Sequence, residues 1–218
     1  MCGRFSLATA PEELVEVFDV PPLDFEVRPR FNVAPGQDAL VVGEDRRGRR
    51  MGMLRWGLVP SRSEARERGF VNARGESVER TPSFRDAFLH RRCLVPADAF
   101  YEWRRDEGGR SPFLFRPAAG GVLALAAVGE RWEGPGHPPL SAFAVLTVGA
   151  SADVAPVHHR MPVLVDPTRF SDWLDRATPI ERVQELIAPA PPGTLTSHPV
   201  SRRVNSARED DAGLVEPV

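Results

Sequence analysis

A cysteine stands at position 2, directly behind the initiator methionine, in MCGRFSLATA. With Met1 in place, Cys2 is an ordinary thiol near a chain end that tends to fray. With Met1 removed, it carries a free α-amine and a thiol on adjacent carbons, a 1,2-aminothiol. No internal cysteine can be that. The chain has no lysine, so its 28 basic side chains of the Lys and Arg class are all arginine. A freed α-amine would then be the only aliphatic amine able to form an imine. Three further positions stand out: Asn72 in VNARGE, Glu102 in FYEWRR and His158 in PVHHRMPV. Taken singly, each has an ordinary reading: a turn-forming Asn, a surface charge on an alternating strand, and a loop histidine.

The elements that must position these residues are short. Thr9, Pro11 and Glu12 predict a helix start, with Thr9 as N-cap, Pro11 early and Glu12 completing a capping box. Leu14, Val15 and Phe18 would be its buried stripe. Val20 to Pro35 reads as an irregular extended passage rich in proline. Strands are predicted at ALVVG from Ala39 and MLRWGLVP from Met53, with RRGRR as a charged hairpin tip. GFVNAR, CLVPADAFYEWRR, PFLFRP, VLALAAVGERW and SAFAVLTVGA are strand-like, rich in apolar and β-branched residues. A helix is predicted from Thr81-Pro82 with Phe84, Ala87 and Phe88 on one side. Two more short helices are expected near Phe170 to Leu174 and Glu181 to Ile187. Many short strands with few helices predict an α+β fold with a mixed or barrel-like β-sheet core and peripheral helices.

A length of 218 residues fits one domain spanning 1–218 with a core of its own. No apolar run approaches 18 residues, so no membrane span or membrane partner is expected. MCGRF is followed by an acidic amphipathic stretch and not by the apolar block of a signal peptide. The expected location is the cytoplasm. Two cysteines do not make a disulfide framework. Cys93, in RRCLVPADAF, reads as a small buried core residue. No C-x-x-C or H-x-x-x-H pair spaces ligands for zinc. No G-x-G-x-x-G or P-loop is present, so a dinucleotide or NTP enzyme is disfavoured. No metal and no cofactor are expected. The formal net charge is −2, which does not advertise nucleic-acid binding, although arginine forks match phosphate geometry.

The motifs MCGRF, FNVAPG, RWGLVP, VNARGE, RCLVPADAFYEW, HHRMPV and HPVSRRVNSA follow one another from end to end. In this order they resemble the SOS response-associated peptidase (SRAP) family. The resemblance implies a protein that senses abasic sites in single-stranded DNA and crosslinks to them, marking damage on the nucleoid as a monomer. It implies Cys2 as the covalently attached residue, Glu102 as the proton carrier, His158 beside the sugar oxygen and Asn72 orienting the N-terminus. An apolar frame from Tyr101 and Trp103 would raise the carboxyl pKa of a buried Glu102. It also implies that these residues remove Met1, with methionine aminopeptidase as the competing route. Arg4 and Arg74 would hold phosphates, and Asn32, Pro35, Trp56, Gly57, Glu76 and Trp103 would line the DNA path. A tryptophan could stack on bases. Ser201, Arg202 and Asn205 would close the site from the other side, with His198 structural.

Two departures stand out. Relatives carry a tryptophan soon after the proline of RWGLVP, where this chain has Arg62. His159 follows His158, and the spacing to Arg160-Met161-Pro162 selects His158. The rival readings are an N-terminal-nucleophile amidohydrolase and a DNA-binding module with no covalent step. A glutaminase of the first kind typically uses an Asn-Gly turn as its oxyanion hole. Here Asn32, Asn72 and Asn205 precede Val, Ala and Ser.

Overall fold

The computed structural model describes residues 2–64, 69–134 and 136–218. In chain order the elements are β1 (Phe5–Leu7), α1 (Pro11–Phe18), β2 (Arg30–Val33), β3 (Asp38–Asp45), β4 (Gly48–Trp56) and β5 (Asn72–Arg74). There follow α2 (Arg85–His90), β6 (Arg92–Ala97), β7 (Ala99–Asp106), β8 (Gly109–Pro117), β9 (Leu123–Trp132) and β10 (Leu140–Gly149). The last are β11 (Arg160–Pro162), α3 (Phe170–Leu174), α4 (Ile180–Glu185) and β12 (Leu195–Pro199).

The expected α+β architecture is present. Strands β10, β4, β3, β6 and β9 pair in succession, and β9 pairs back onto β10, closing a barrel-like ring. It is mixed, because β10 runs parallel to β4 and β5 and antiparallel to β9 and β11. Its strands are apolar on both faces: Val42, Leu94, Ala126 and Val128 on one, and Phe143 and Val145 on the other, have no exposed surface. A second, antiparallel sheet has the order β12-β8-β7-β1-β2. The run CLVPADAFYEWRR, which reads as one strand, feeds both sheets. It breaks at Asp98 into β6 of the ring and β7 of the second sheet.

Asp98 also overturns the capping expectation. Its Oδ1 accepts from the Thr9 hydroxyl at 2.6 Å, and its Oδ2 accepts from the Ala8 and Thr9 amides. A carboxylate is the stronger acceptor for those donors. The N-cap is therefore Ala10, with no side-chain bond. The helix still buries Leu14 and Phe18, and it ends on Asp19 in the left-handed region. Helix α2 starts at Arg85, three residues later than Pro82. Thr81 closes a turn instead, donating to the Ser77 carbonyl at 2.8 Å. The passage 20–35 is irregular except for β2, where Asp210 Oδ1 accepts the Phe31 and Asn32 amides. The strand in GFVNAR shrinks to β5, leaving Phe70 in a single bridge to Leu58. The RRGRR tip turns on Arg46 and Arg47, while Arg49 and Arg50 stay in β4. Cys93 is buried. Among the described residues, no helix is long and apolar enough to cross a membrane.

Candidate functional site

β1 positions the reactive end of the chain. Phe5 pairs with Phe100 of β7 and Val33 of β2. The Tyr101 amide donates to the Arg4 carbonyl at 3.0 Å. Cys2 lies two residues further out with no exposed surface. Asn72 Nδ2 donates to the Cys2 carbonyl at 2.9 Å, which ties this residue to β5. Asn72 Oδ1 is buried and has no hydrogen-bond partner among the described residues. Register against β10, Val145 to Asn72, places that amide.

Glu102 sits on β7 with 2% of its side chain exposed, and its Oε1 is 3.6 Å from Nδ1 of His158. His158 precedes β11, and its Nδ1 is 2.9 Å from the Arg160 carbonyl oxygen. Burial raises the Glu102 carboxyl to a pKa of about 7. Burial likewise lowers the His158 imidazole below its ordinary value. Desolvation disfavours both charged forms, so near neutral pH this contact joins a carboxyl close to its own pKa to an imidazole pushed toward its neutral form. It is not a fixed ion pair. Burial, with Glu102's charge second, pushes the Cys2 thiol far up. The thiolate is thus scarce, and an attacking Cys2 needs a base.

The source of Glu102's burial differs from the expected aromatic frame. Neighbouring side chains on a strand point to opposite faces. Glu102 faces one way, in register with Phe113 of β8. Tyr101 faces the other, with its hydroxyl donating to Phe31 O at 2.7 Å, and it packs on Val204 and Leu214. Trp103 shares that face, and its indole donates to Asn205 Oδ1 at 2.8 Å.

Glu102 and His158 open into a cleft of about 970 Å³. Its wall holds Arg74, Arg104, Arg105, Arg110 and Arg160. The chain is mildly acidic overall, but this wall is cationic. Of the expected lining residues, Arg74 and Trp103 reach the cleft. Glu76 is an exposed carboxylate that pairs with Arg160, 2.9 Å from Nη2. Pro35 is exposed. Ser201 caps a short turn by accepting from the Arg203 amide, and Arg202 and Asn205 are exposed.

Three expected DNA contacts are instead internal. Asn32 has no exposed surface; its amide donates to the Val204, Ser206 and Glu209 carbonyls, and its Oδ1 accepts from Arg4. Trp56 is fully buried between Phe5 and Phe143, so its ring fills the core and offers no face to a base. Gly57 is buried at φ +142°, and a Cβ on Gly69 would fall 2.0 Å from its carbonyl oxygen. Glycine at both positions lets the two segments touch. Arg4 spends its guanidinium largely on Asn32 and the Val204 carbonyl, at 3.1 and 2.6 Å. His198 is structural, bonding Val215 O at 2.9 Å.

Arg62 lies in a separate depression beside Phe70, which is 46% exposed. The rest of that departure, residues 65–68, lies outside the described residues. His159 is exposed, its ring centroid 4.4 Å from that of His158. Sequence reasoning missed Arg104, Arg105, Arg110 and Arg160 as cleft residues. For the first three the available signal was EWRRDEGGR, where the Glu107-Gly108 turn folds basic residues back on one another. Among the described residues, no cluster of three His, Cys, Asp or Glu side chains could hold a metal ion.

Fold and site together define a protein with a cysteine near its N-terminus set against a buried carboxyl and an imidazole. The chain belongs to the SOS response associated peptidase (SRAP) family, whose model matches residues 1–207. It is 32% identical over 222 residues to the abasic site processing protein YoqW of Bacillus subtilis, covering 99% of each chain. It is 34% identical over 192 residues to the abasic site processing protein HMCES of Gallus gallus, covering 76% of this chain and 56% of that one. A crystal structure of a phage-related protein from Bordetella bronchiseptica aligns over 92% of this chain and 95% of that one, with TM-score 0.74 and 29% identity. A protein from Bacteroides thetaiotaomicron shares the fold over the whole of both chains, with TM-score 0.90 at 17% identity.

Proposed function

We propose that this protein captures abasic sites in single-stranded DNA through Cys2 after removal of Met1. The observation that carries this reading is that Asn72 holds a Cys2 whose thiol feels the charge of Glu102, while Glu102 and His158 meet at an arginine-lined cleft. The names of its relatives, abasic site processing proteins, support it.

The chemistry follows from the residues. An abasic deoxyribose in its open form presents an aldehyde. The Cys2 α-amine, with an ordinary pKa of about 7.7–8.0, adds to that carbon. Glu102 takes a proton from the amine, and the departing hydroxyl leaves as water with a proton from Glu102 or His158. The resulting imine is attacked by Cys2 Sγ, whose proton passes to the imine nitrogen. The product is a five-membered thiazolidine, and one water is released overall. Both nucleophiles belong to one residue, so ring closure has the advantage of an intramolecular reaction. The ring lacks the imine's route to β-elimination, and the lesion is shielded. Asn72 Oδ1 accepts from the freed amine in this reading, which its buried, unbonded state supports.

The same group accounts for the peptidase name. Cys2 Sγ attacks the Met1 carbonyl carbon, the amine of Cys2 leaves, and water hydrolyses the thioester. Retention of Met1 in a Glu102→Gln variant, made in cells lacking methionine aminopeptidase activity on this chain, would mark self-processing. The single chain supplies every group of the site, and the monomer is the working unit.

Intact-mass measurement tests the central step. The purified protein should lack Met1. Incubation with a single-stranded oligonucleotide bearing one abasic site should add the mass of the DNA less one water, surviving denaturation. The Cys2→Ala variant should show no adduct. A processed wild-type protein with no adduct would overturn the reading, and glutamine hydrolysis by that protein would point to an amidohydrolase.

A further inference from the structure

The hairpin formed by β7 and β8 carries a feature that capture at Cys2 does not use. Its register sets Arg105 directly opposite Arg110, with Arg104 opposite Ser111 one step closer to Glu102. Like charges directly opposite each other on a two-stranded ladder are destabilising. Among the described residues, neither Arg105 nor Arg110 forms a hydrogen bond or ion pair with an acidic side chain, even though Asp106 and Glu107 stand at the same turn. Both arginines line the cleft and are exposed. Arg104 is held differently, with its guanidinium 4.7 Å above the Phe113 ring.

We propose that the Arg105 and Arg110 pair is a phosphate clamp for the nucleotide beside the captured lesion, making the hairpin an arm that tracks the DNA strand. This deepens the reading of abasic-site capture and rests on it. Two guanidinium forks facing one another suit the non-bridging oxygens of a single phosphodiester. An anion between them turns mutual repulsion into shared attraction. Trp103 lies two residues back on the same strand face as Arg105, about 6.7 Å along the strand. That is on the order of one nucleotide step. A base stacked on Trp103 would deliver its phosphate to the pair.

The test compares wild-type protein with an Arg105→Gln/Arg110→Gln variant and with Arg116→Gln. Arg116 is exposed on β8 outside the cleft. Binding of a lesion-free single strand is followed by anisotropy across a salt series, and melting temperatures are measured. The double variant should bind about tenfold more weakly, with a salt slope shallower by about 0.7 for each phosphate it no longer neutralises. Its melting temperature should equal or exceed that of wild type at low salt. Arg116→Gln should leave the slope unchanged. An unaltered slope in the double variant, an equal loss in Arg116→Gln, or a lower melting temperature for the double variant would each overturn the clamp. Covalent retention of an abasic strand is scored separately. A wild type that binds lesion-free strands but yields no Cys2-dependent product would sink the capture reading alone.

Discussion

Oε1 of Glu102 stands 3.6 Å from Nδ1 of His158, one from the antiparallel sheet and the other from the approach to β11 on the barrel-like ring. This contact bridges the two sheets. Burial shifts the carboxyl up to about 7, near the range where an α-amine titrates, and pushes the imidazole toward its neutral form. Proton transfer between that carboxyl and a free α-amine is therefore close to balanced.

The Glu102 pKa of about 7 sets a pH profile. Below it the carboxyl keeps its proton and cannot accept one from the Cys2 amine. Crosslinking should therefore rise through pH 7, and Glu102→Gln should lose that step while slowing the reaction about a hundredfold. Stability runs the other way. The folded pKa lies above the unfolded value, so the native state holds more protons between pH 4.5 and 7, and stability falls across that window. The Gln variant should escape a cost on the order of 3 kcal/mol at pH 8. Chemical denaturation of both proteins at pH 5 and pH 8 reads this directly; an equal pH dependence would count against the buried carboxyl.

Asn32 predicts a stability effect. Its side chain satisfies three carbonyls of the segment 204–209 and accepts from Arg4. Asn32→Ala strands these groups and should cost about 3 kcal/mol. Urea midpoints at fixed pH provide the measure. A variant of wild-type stability with weakened DNA binding would restore Asn32 as a direct contact.

Gly69→Ala tests the close approach behind the site. The new methyl meets Gly57's carbonyl oxygen at 2.0 Å, which is backbone and cannot swing away. Loss of about 2 kcal/mol or more is expected. Asn72, three residues on, should shift with it, so the surviving folded fraction should crosslink more slowly than wild type.

The two tryptophans should separate cleanly. Trp56→Ala empties a fully buried site and should cost about 3–5 kcal/mol. Trp103→Ala removes a partly exposed ring and should leave the fold nearly intact. If a base stacks on it, binding of single-stranded DNA should fall by about tenfold. Melting temperature and binding affinity, measured on both variants, should therefore change in opposite proportion.

Much of the architecture was legible because it rests on local patterning. The long apolar runs around Leu123 and Leu140 became β9 and β10, and the Phe170 helix kept its bounds. Long-range partners were not legible. Thr9 looks like a helix cap until Asp98, 89 positions away, claims its hydroxyl. Asn32 and Trp56 lie in motifs that suggest a DNA path, yet burial is decided by what folds over them. The cleft's arginines escaped notice because register, not composition, places Arg105 against Arg110. Glu102's perturbation was foreseeable, but its cause was not: strand alternation turns Tyr101 and Trp103 away from it.

The bonds from Arg4 to Val204 and Asn205 span about two hundred positions. On the ribosome, residues 2–4 are made well before the segment that anchors them. Such non-local pairing forms late in folding. The reactive terminus therefore spends translation unanchored and is seated only when the distant segment docks. Competence to act is coupled to synthesis through this segment, and a chain broken off before residue 204 would carry the nucleophile without its seat.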